Sequence, residues 1–394
     1  MIHIIYKGHF PNGMASTVRC QNYIKAFKNE GLKCKVIIPI PLRTYNELPN
    51  IEEHSGTYEG IPYQYMTGTN RRNKNWIIRQ TIDMIGYIKT LFYILTSVKS
   101  NDIIYAWVGG YIWFTLLGIF SKIKSSKILM EINEIPYGPK IMNRRLKLQR
   151  KILYRFGFPL YDGFFVISEE LKKIAEQYKC SKAQILKVPI IVDTSIADKK
   201  YPKTDEIYIF HSGTLYEQKD GVSGMLEAFA IANKELGGKL KYYLTGDLEK
   251  SRDKKIIQTV INKYHIQNNV KFLRYLSDEE MHYYQQNASL MIINKLRSEQ
   301  NRYCFSTKLG EYLSFAHPVI LTNVGEAMHY MKNKENAYIV EPNDLEAMAN
   351  CIIKIIQNKT ESDLIGQNGY KLATNIFNYK YQGKRMHEFI KNLI

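Results

Sequence analysis

Two doubly wound α/β domains in tandem, each Rossmann-like, are the fold class this sequence predicts. Three observations predict it. Short apolar runs alternate with amphipathic stretches along the whole chain. The runs fall into two series, separated by the polar, strand-poor stretch Val192–Asp205, VDTSIADKKYPKTD. At 394 residues the chain also exceeds what one core ordinarily holds.

The first series opens with Ile2–Tyr6. MIHIIYKGHF has no basic segment followed by a long apolar run and a cleavage site, so it reads as a buried strand and not as a leader. The strand enters Lys7–Ser16, KGHFPNGMAS, in which Gly8 and Gly13 precede a helix expected from Ala15 or Ser16. Further strands are expected at Cys34–Ile40, Asp102–Trp107, Lys127–Glu131, Gly163–Ile167 and Ile185–Val188. Asn70–Asn75, NRRNKN, reads as a mobile basic loop. Ile103–Phe120 has no charge and meets the length rule for a spanning helix. Its strand-like start and its break at Gly109-Gly110 fit strand, turn and buried helix better. Met142–Phe156 is a basic amphipathic helix. Met142, Leu146, Leu148, Ile152, Leu153 and Phe156 fall on one side, and Arg144, Lys147, Arg150, Lys151 and Arg155 on the other. It reads equally as a core helix with a solvated basic face and as an interfacial binder.

The second series is Glu206–His211, Lys241–Thr245, Val270–Phe272, Leu290–Ile293, Val319–Thr322 and Ala337–Val340. The expected domains are 1–195 and 205–375. A C-terminal helix within 376–394 has Met386, Phe389 and Ile390 available to pack back on the first domain.

The net charge is +18, and residues 1–160 hold 23 Lys and Arg against nine Asp and Glu. An anionic partner is expected, above all a membrane surface. Nucleic acid is not expected: no helix-turn-helix, zinc or ribonucleoprotein motif is present, and the aromatics do not form a stacking pattern. Five scattered cysteines without CxxC spacing imply neither a disulfide framework nor a zinc site, and a cytoplasmic setting is the simple reading.

Asn301–Glu326, NRYCFSTKLGEYLSFAHPVILTNVGE, reads as loop, helix, turn and buried strand. Ser306 or Thr307 can cap the helix. Its N-terminus suits a phosphate, and Glu311, one turn in, suits sugar hydroxyls. The alternative is an ordinary αβ unit with a solvated Glu. In YIFHSGTLYEQKDG, Gly213 permits close backbone approach and Lys219 adds a positive charge near a helix start that Asp220 can cap, a pattern that suits a diphosphate. Read blandly, it is an αβ turn with a surface Lys.

FHSGTLYEQKDGVSGMLEAF, YLTGD, NVKFLRYLSDEEMHYYQQNASLMIINK and FSTKLGEYLSFAHPVILTNVGE resemble, in order, the donor-binding half of family 4 glycosyltransferases. The likeness covers roughly residues 205–345 and is more diffuse through EINEIPYG and DGFFVISEELKKIA. It implies the glycosyltransferase B fold, two Rossmann-like domains facing across a cleft. It also implies transfer of a sugar from a nucleotide-sugar with retention and without a metal. By the resemblance, Gly213 and Lys219 match the diphosphate loop. Thr307, Lys308 and Leu309 match the backbone that meets the phosphate. Glu311 matches the glutamate that holds the ribose, and Leu273 and Arg274 lie where the base rests. Gly13 matches the first-domain loop facing donor sugar and acceptor.

Three positions depart from the family's pattern. Tyr303 stands where the first of two glutamates is usual, and Thr214-Leu215 where an arginine often follows the glycine loop. Asn133 stands near the place of a first-domain histidine, flanked by Glu131 and Glu134. Glu134, then Glu131, are the candidates to orient or deprotonate the acceptor hydroxyl. Alternatively, both cap the turn around Pro136 and Gly138. The expected function is transfer to a lipid-linked or polysaccharide acceptor at the inner face of the cytoplasmic membrane, as in capsule or lipopolysaccharide assembly. The rivals are an inactive scaffold, which Tyr303 favours, a basic nucleic-acid-binding protein, and an epimerase or phosphorylase of the same fold.

Overall fold

A computed structural model describes residues 1–13, 15–42, 54–107, 109–136 and 144–394. The chain divides into two compact units, one of Met1–Ile191 with Tyr379–Ile394 and one of Val192–Asn378.

In the first unit the elements run β1 (Ile2–Ile5), α1 (Ala15–Asn29), β2 (Cys34–Ile38), β3 (Ser55–Tyr58), β4 (Ile61–Tyr65), α2 (Trp76–Ser97), β5 (Ile103–Ala106), α3 (Tyr111–Ile123), β6 (Lys127–Ile132), α4 (Arg144–Ile152), β7 (Gly163–Val166), α5 (Glu169–Tyr178) and β8 (Gln184–Lys187). Their sheet has the order β3-β4-β2-β1-β5-β6-β7-β8, parallel except for β3 against β4. β1, β5 and β7 are buried along their whole length, as expected of strands covered by helices on both faces. The order reverses between β1 and β5, where a doubly wound sheet opens a crevice at its strand C-termini.

The second unit holds β9 (Tyr208–His211), α6 (Glu217–Asp220), α7 (Val222–Glu235), β10 (Lys241–Leu244), α8 (Lys254–Lys263), β11 (Val270–Phe272), α9 (Asp278–Asn287), β12 (Leu290–Ile293), α10 (Glu299–Tyr303), α11 (Thr307–Ser314), β13 (Val319–Thr322), β14 (Tyr338–Val340), α12 (Leu345–Gln357) and α13 (Lys359–Asn375). Its sheet is wholly parallel in the order β11-β10-β9-β12-β13-β14. The reversal lies between β9 and β12. Ile209, Tyr242, Leu244, Leu290, Ile292 and Ile320 pack with α7 and α12 into one core.

The last helix, α14 (Tyr379–Lys391), belongs to the first unit, where it packs on α1. Met386, Phe389 and Ile390 enter the core beside Phe27, Tyr105 and Phe165.

All twelve strands read from the sequence are present. The β3–β4 hairpin is an addition; β3 is polar and partly exposed at the sheet edge, so it carries no buried apolar run. Ile103–Phe120 holds β5 and the start of α3, and no described helix is long and apolar enough to cross a membrane. The Asn70–Asn75 segment is tied down: Arg72 pairs with Asp83 at 2.7 Å, and Asn75 caps α2 by accepting from Ile77 and Ile78. The basic amphipathic stretch departs from its wheel. Met142 and Gly138 lie outside the described residues. After α4 the chain widens into a π-helical turn, Leu153–Gly157. A wider turn rotates later side chains around the axis, so Phe156 faces solvent while Leu153 is buried; Leu148, in α4 before that turn, is exposed as well.

Candidate active site

The second unit gathers its charged residues at the β9/β12 reversal. β9 ends at His211 and turns through Ser212-Gly213. Tyr312 of α11 fixes this turn, its hydroxyl accepting from the Ser212 amide at 2.7 Å. Thr245, after β10, accepts from the Gly213 amide at 2.8 Å. Gly213 is therefore not an amide donor toward a ligand. It is required for space: a Cβ there would stand 2.7 Å from His211 Nε2 and 2.9 Å from Lys308 Nζ.

Beneath this turn lies Asp220, which is buried. It does not cap α7; its carboxylate accepts from Lys295 Nζ at 2.7 Å and from Lys308 Nζ at 3.1 Å. Burial alone would raise its pKa, but Lys308 and Lys295 outweigh burial and hold it well below the carboxylate range. Lys308 is pushed down to about 8 by burial, more than Asp220 restores. Lys219 is half-exposed at the end of α6, and its charge also lowers Lys308. Burial, and then Lys308, bring His211 down to about 3, so it is neutral. Its Nδ1 lies 3.0 Å from the Ile292 carbonyl and must carry the proton, which leaves Nε2 as an acceptor. The cluster thus pairs Lys295 and Lys308 with Asp220 and adds the charge of Lys219, with the carboxyl of Glu311 also within reach of Lys308.

α11 begins beside this cluster. Ser306 occupies the N-cap but makes no capping bond, contrary to the expectation for Ser306 or Thr307. By position, the amides of Thr307 and Lys308 are among the orphan donors of a helix start. The Leu309 amide instead donates to Ser306 O at 3.1 Å and its side chain is in the core, so Leu309 is not a phosphate donor. Lys308 contributes an ammonium group as well as the expected backbone. Glu311, one turn on, is half-buried; burial raises its carboxyl to about 7, with Gln285 and Lys308 acting in the opposite direction.

Leu273 and Arg274 follow β11. The Leu273 amide donates to Leu244 O at 2.8 Å, and Arg274 O accepts from the Gly246 amide at 2.8 Å, so this backbone is pinned at the strand ends. Tyr303 ends α10, a short helix where a loop was expected, and is half-buried with the Arg302 guanidinium 5.8 Å from its ring centre.

In the first unit, Gly13 is enforced by packing. A Cβ there would meet Thr17 Oγ1 at 1.9 Å, and that hydroxyl donates to His9 O at 2.7 Å. Glu131 is a correction. Its carboxylate is inside the core, taking Arg19 Nε at 2.9 Å and the hydroxyls of Tyr105 at 2.5 Å and Tyr23 at 3.2 Å. With its acceptor positions filled and its side chain 1% exposed, it cannot act on an acceptor. Glu134 is exposed and Asn133 half-exposed in the turn after β6, at the strand C-termini where ligands of such sheets bind.

Sequence reading overlooked Lys295, Asp220 as an ion-pair centre, and His211. The available signal was position for two of them: His211 ends β9 and Lys295 follows β12, the strands that flank the reversal, whereas Asp220 closes α6 and carried no such signal.

Residues 193–372 match the family model described as glycosyl transferases group 1. A curated relative, the capsular polysaccharide biosynthesis glycosyltransferase CapM of Staphylococcus aureus, is 28% identical over 189 residues, which is 47% of each chain. The chain thus spans about half the length of the curated relatives it matches. Sucrose-phosphate synthase from Thermosynechococcus elongatus superposes with TM-score 0.74 at 15% identity, covering 100% of this chain and 98% of that one. HepE of Anabaena, in complex with UDP, gives 0.71 at 14% identity over 99% of both chains. These structures share the glycosyltransferase B fold with this chain.

Proposed function

We propose that this chain is a retaining glycosyltransferase that moves a sugar from a nucleotide-sugar to a lipid-linked or polysaccharide acceptor in cell-surface polysaccharide assembly. The observation that carries this reading is the net-positive cluster at the β9/β12 reversal, where Lys308, Lys295 and Lys219 outnumber Asp220. A diphosphate supplies the missing negative charge. The match of residues 193–372 to group 1 glycosyl transferases supports the same assignment for this unit. The UDP in HepE makes a uridine nucleotide the first donor to test, and CapM's name supports a capsule-type product.

In this reading the second unit holds the donor. Lys308, Lys219 and the Thr307 amide meet the diphosphate, Glu311 accepts from the ribose hydroxyls, and the Leu273–Arg274 backbone borders the base. Tyr303 stands beside the donor sugar in place of a glutamate. The cationic cluster stabilises the departing diphosphate, the largest contribution to a phosphate-guided front-face substitution, and no metal takes part. The first unit holds the acceptor between the Gly13 loop and the β6 turn. Glu134 orients or deprotonates its hydroxyl, with Asn133 alongside. The setting is the cytoplasmic membrane face.

The test is thermal stability with UDP-, GDP- and ADP-sugars. A donor at about 100 times its Kd stabilises by about 2.7 kcal/mol. No shift with any of them sinks the donor site. For the base, Glu134→Gln lowers kcat by about 10²–10⁴-fold and leaves the donor KM unchanged; unaltered turnover removes the assignment. Tyr303 keeps one other reading in play, a donor-binding scaffold without transfer, which donor stabilisation without product would support.

A further inference from the structure

One helical layer of the first unit leaves an apolar stripe uncovered. On its inner side α2 packs through buried Thr90 and Ile94 and through Tyr87, which stacks on Trp113 of α3 with ring centres 3.6 Å apart. Its outer side carries Ile77, Met84, Ile88, Phe92 and Leu95 at helical spacing. Met84 is 60% and Phe92 65% exposed. The layer continues through α3, which touches both α2 and α4, and adds exposed Ile119 and Ile123, then Leu148 and Phe156. Exposed apolar surface on this scale marks a binding face.

The charge of the layer identifies its partner. α2, α3 and α4 contain one acidic residue, Asp83, and it is paired to Arg72. Against it stand Arg79, Lys89 and the basic residues of α4, while Lys122 of α3 is paired to Asp162 at 2.8 Å. Beside exposed Phe156 a cavity of about 480 Å³ opens among Lys147, Arg150, Lys151 and Arg155, with Tyr154 and Tyr178 in its wall. An apolar stripe flanked by cations fits the boundary between acyl chains and phosphate headgroups. A second copy of this chain would bring like charges together. No described helix is long and apolar enough to cross a bilayer, so α2 would lie along the surface.

We infer that the outer face of α2, flanked by α3 and α4, docks this unit on an anionic phospholipid bilayer, with lipid phosphates drawn to the basic cavity of α4. This deepens the membrane part of the proposed function and is independent of the donor site.

The test is co-sedimentation at low salt, without donor or acceptor, using phosphatidylcholine vesicles with and without phosphatidylglycerol. The protein binds the anionic vesicles and not the neutral ones. Ile88→Glu with Phe92→Glu lowers the partition coefficient at least about ten-fold, because each adds a charge where an apolar group entered the lipid. Lys147→Ala with Lys151→Ala lowers it by about five-fold or more. Milder Ile88→Ser with Phe92→Ser gives a smaller loss in the same direction and covers a failure of the charged variant to fold. Thermal unfolding of each variant reports the fold. Wild-type indifference to anionic vesicles overturns the inference, as does full binding by the folded stripe variants. A concentration-dependent dimer dispersed by the stripe substitutions, with no vesicle binding, assigns the face to a second copy instead. Vesicle binding without any donor-induced stabilisation leaves this inference standing and removes the donor site.

Discussion

At the scale of the residue, the site is a balance of protonation states. In the proposed donor site Glu311 must be ionised to accept from ribose hydroxyls, and burial has raised its carboxyl to about 7. In the same proposal Lys308 must be protonated to meet a diphosphate, and burial has lowered its ammonium to about 8. Below about 7 the carboxylate takes a proton and loses acceptor capacity; above about 8 the lysine loses its charge. A nucleotide-sugar diphosphate does not itself titrate in this range. Donor affinity measured by calorimetry from pH 5 to 9 is therefore expected to peak between about 7 and 8; an affinity flat across that range removes one or both residues from the site. Asp220 sets the other limit. Asp220→Asn keeps the shape but leaves Lys295 and Lys308 facing each other without a counter-charge. Removing one partner of such a buried group costs about 3–5 kcal/mol. Chemical denaturation is expected to register that loss, while a diphosphate donor, itself a counter-charge, restores more stability to this variant than to the wild type. Equal stability of both proteins would mean the cluster is not charge-coupled. None of this pairing was visible in the sequence, because Asp220 stands 75 residues from Lys295 and 88 from Lys308. Glu131 misled for the same reason: its partner Arg19 is 112 residues away, and nothing in EINEIPYG announces it.

At the scale of the element, strands and turns were the most legible features. β9, β12 and β13 are continuous apolar runs bounded by polar turns, and a buried parallel strand has no other way to read. The edge hairpin of β3 and β4 escaped because one half-exposed strand pairing at an edge needs no such run. The basic helix escaped in part because a π-helical turn breaks the 3.6-residue period on which a wheel depends. The turn after β9 was read as a place where Gly213 permits close backbone approach to a ligand, and the structure gives glycine a different reason there. It is crowding against His211 and Lys308 and not a donated amide. Gly213→Ala is accordingly expected to displace the Lys308 ammonium, the more flexible of the two neighbours. Losing one charge-assisted contact weakens donor binding by about ten- to a hundred-fold, with a smaller loss of thermal stability. Donor affinity equal to wild type would show that Lys308 does not need the position it occupies.

At the scale of the whole molecule, the chain leaves its first unit at Ile191, builds the second, and returns at Tyr379. The return is structural. α14 buries Met386, Phe389 and Ile390, and Leu393 follows it into the same core. Arg385 reaches back to donate to Lys187 O at 3.2 Å, and a Cβ on Gly163 would meet the Phe389 ring at 3.0 Å. Burying each such apolar side chain contributes about 1.5–3 kcal/mol. Four of them amount to a large part of the roughly 5–15 kcal/mol that holds an ordinary domain folded. The second unit has its own core, built from β9, β10, β12 and β13 with α7 and α12, and among the described residues no buried member of it comes from α14. A chain ending at Asn378 is therefore expected to expose the core of residues 1–191 while the second unit keeps its structure. Amide exchange is expected to collapse along β1, β5 and β7 and to stay slow along β9 and β12. A donor that stabilises the intact chain is expected still to stabilise the second unit of the truncated one. Phe389→Ala offers the gentler version, with about 3–5 kcal/mol lost from the first unit alone. If exchange along β1, β5 and β7 proved as slow in the truncated chain as in the intact one, α14 would be an accessory and not part of that core.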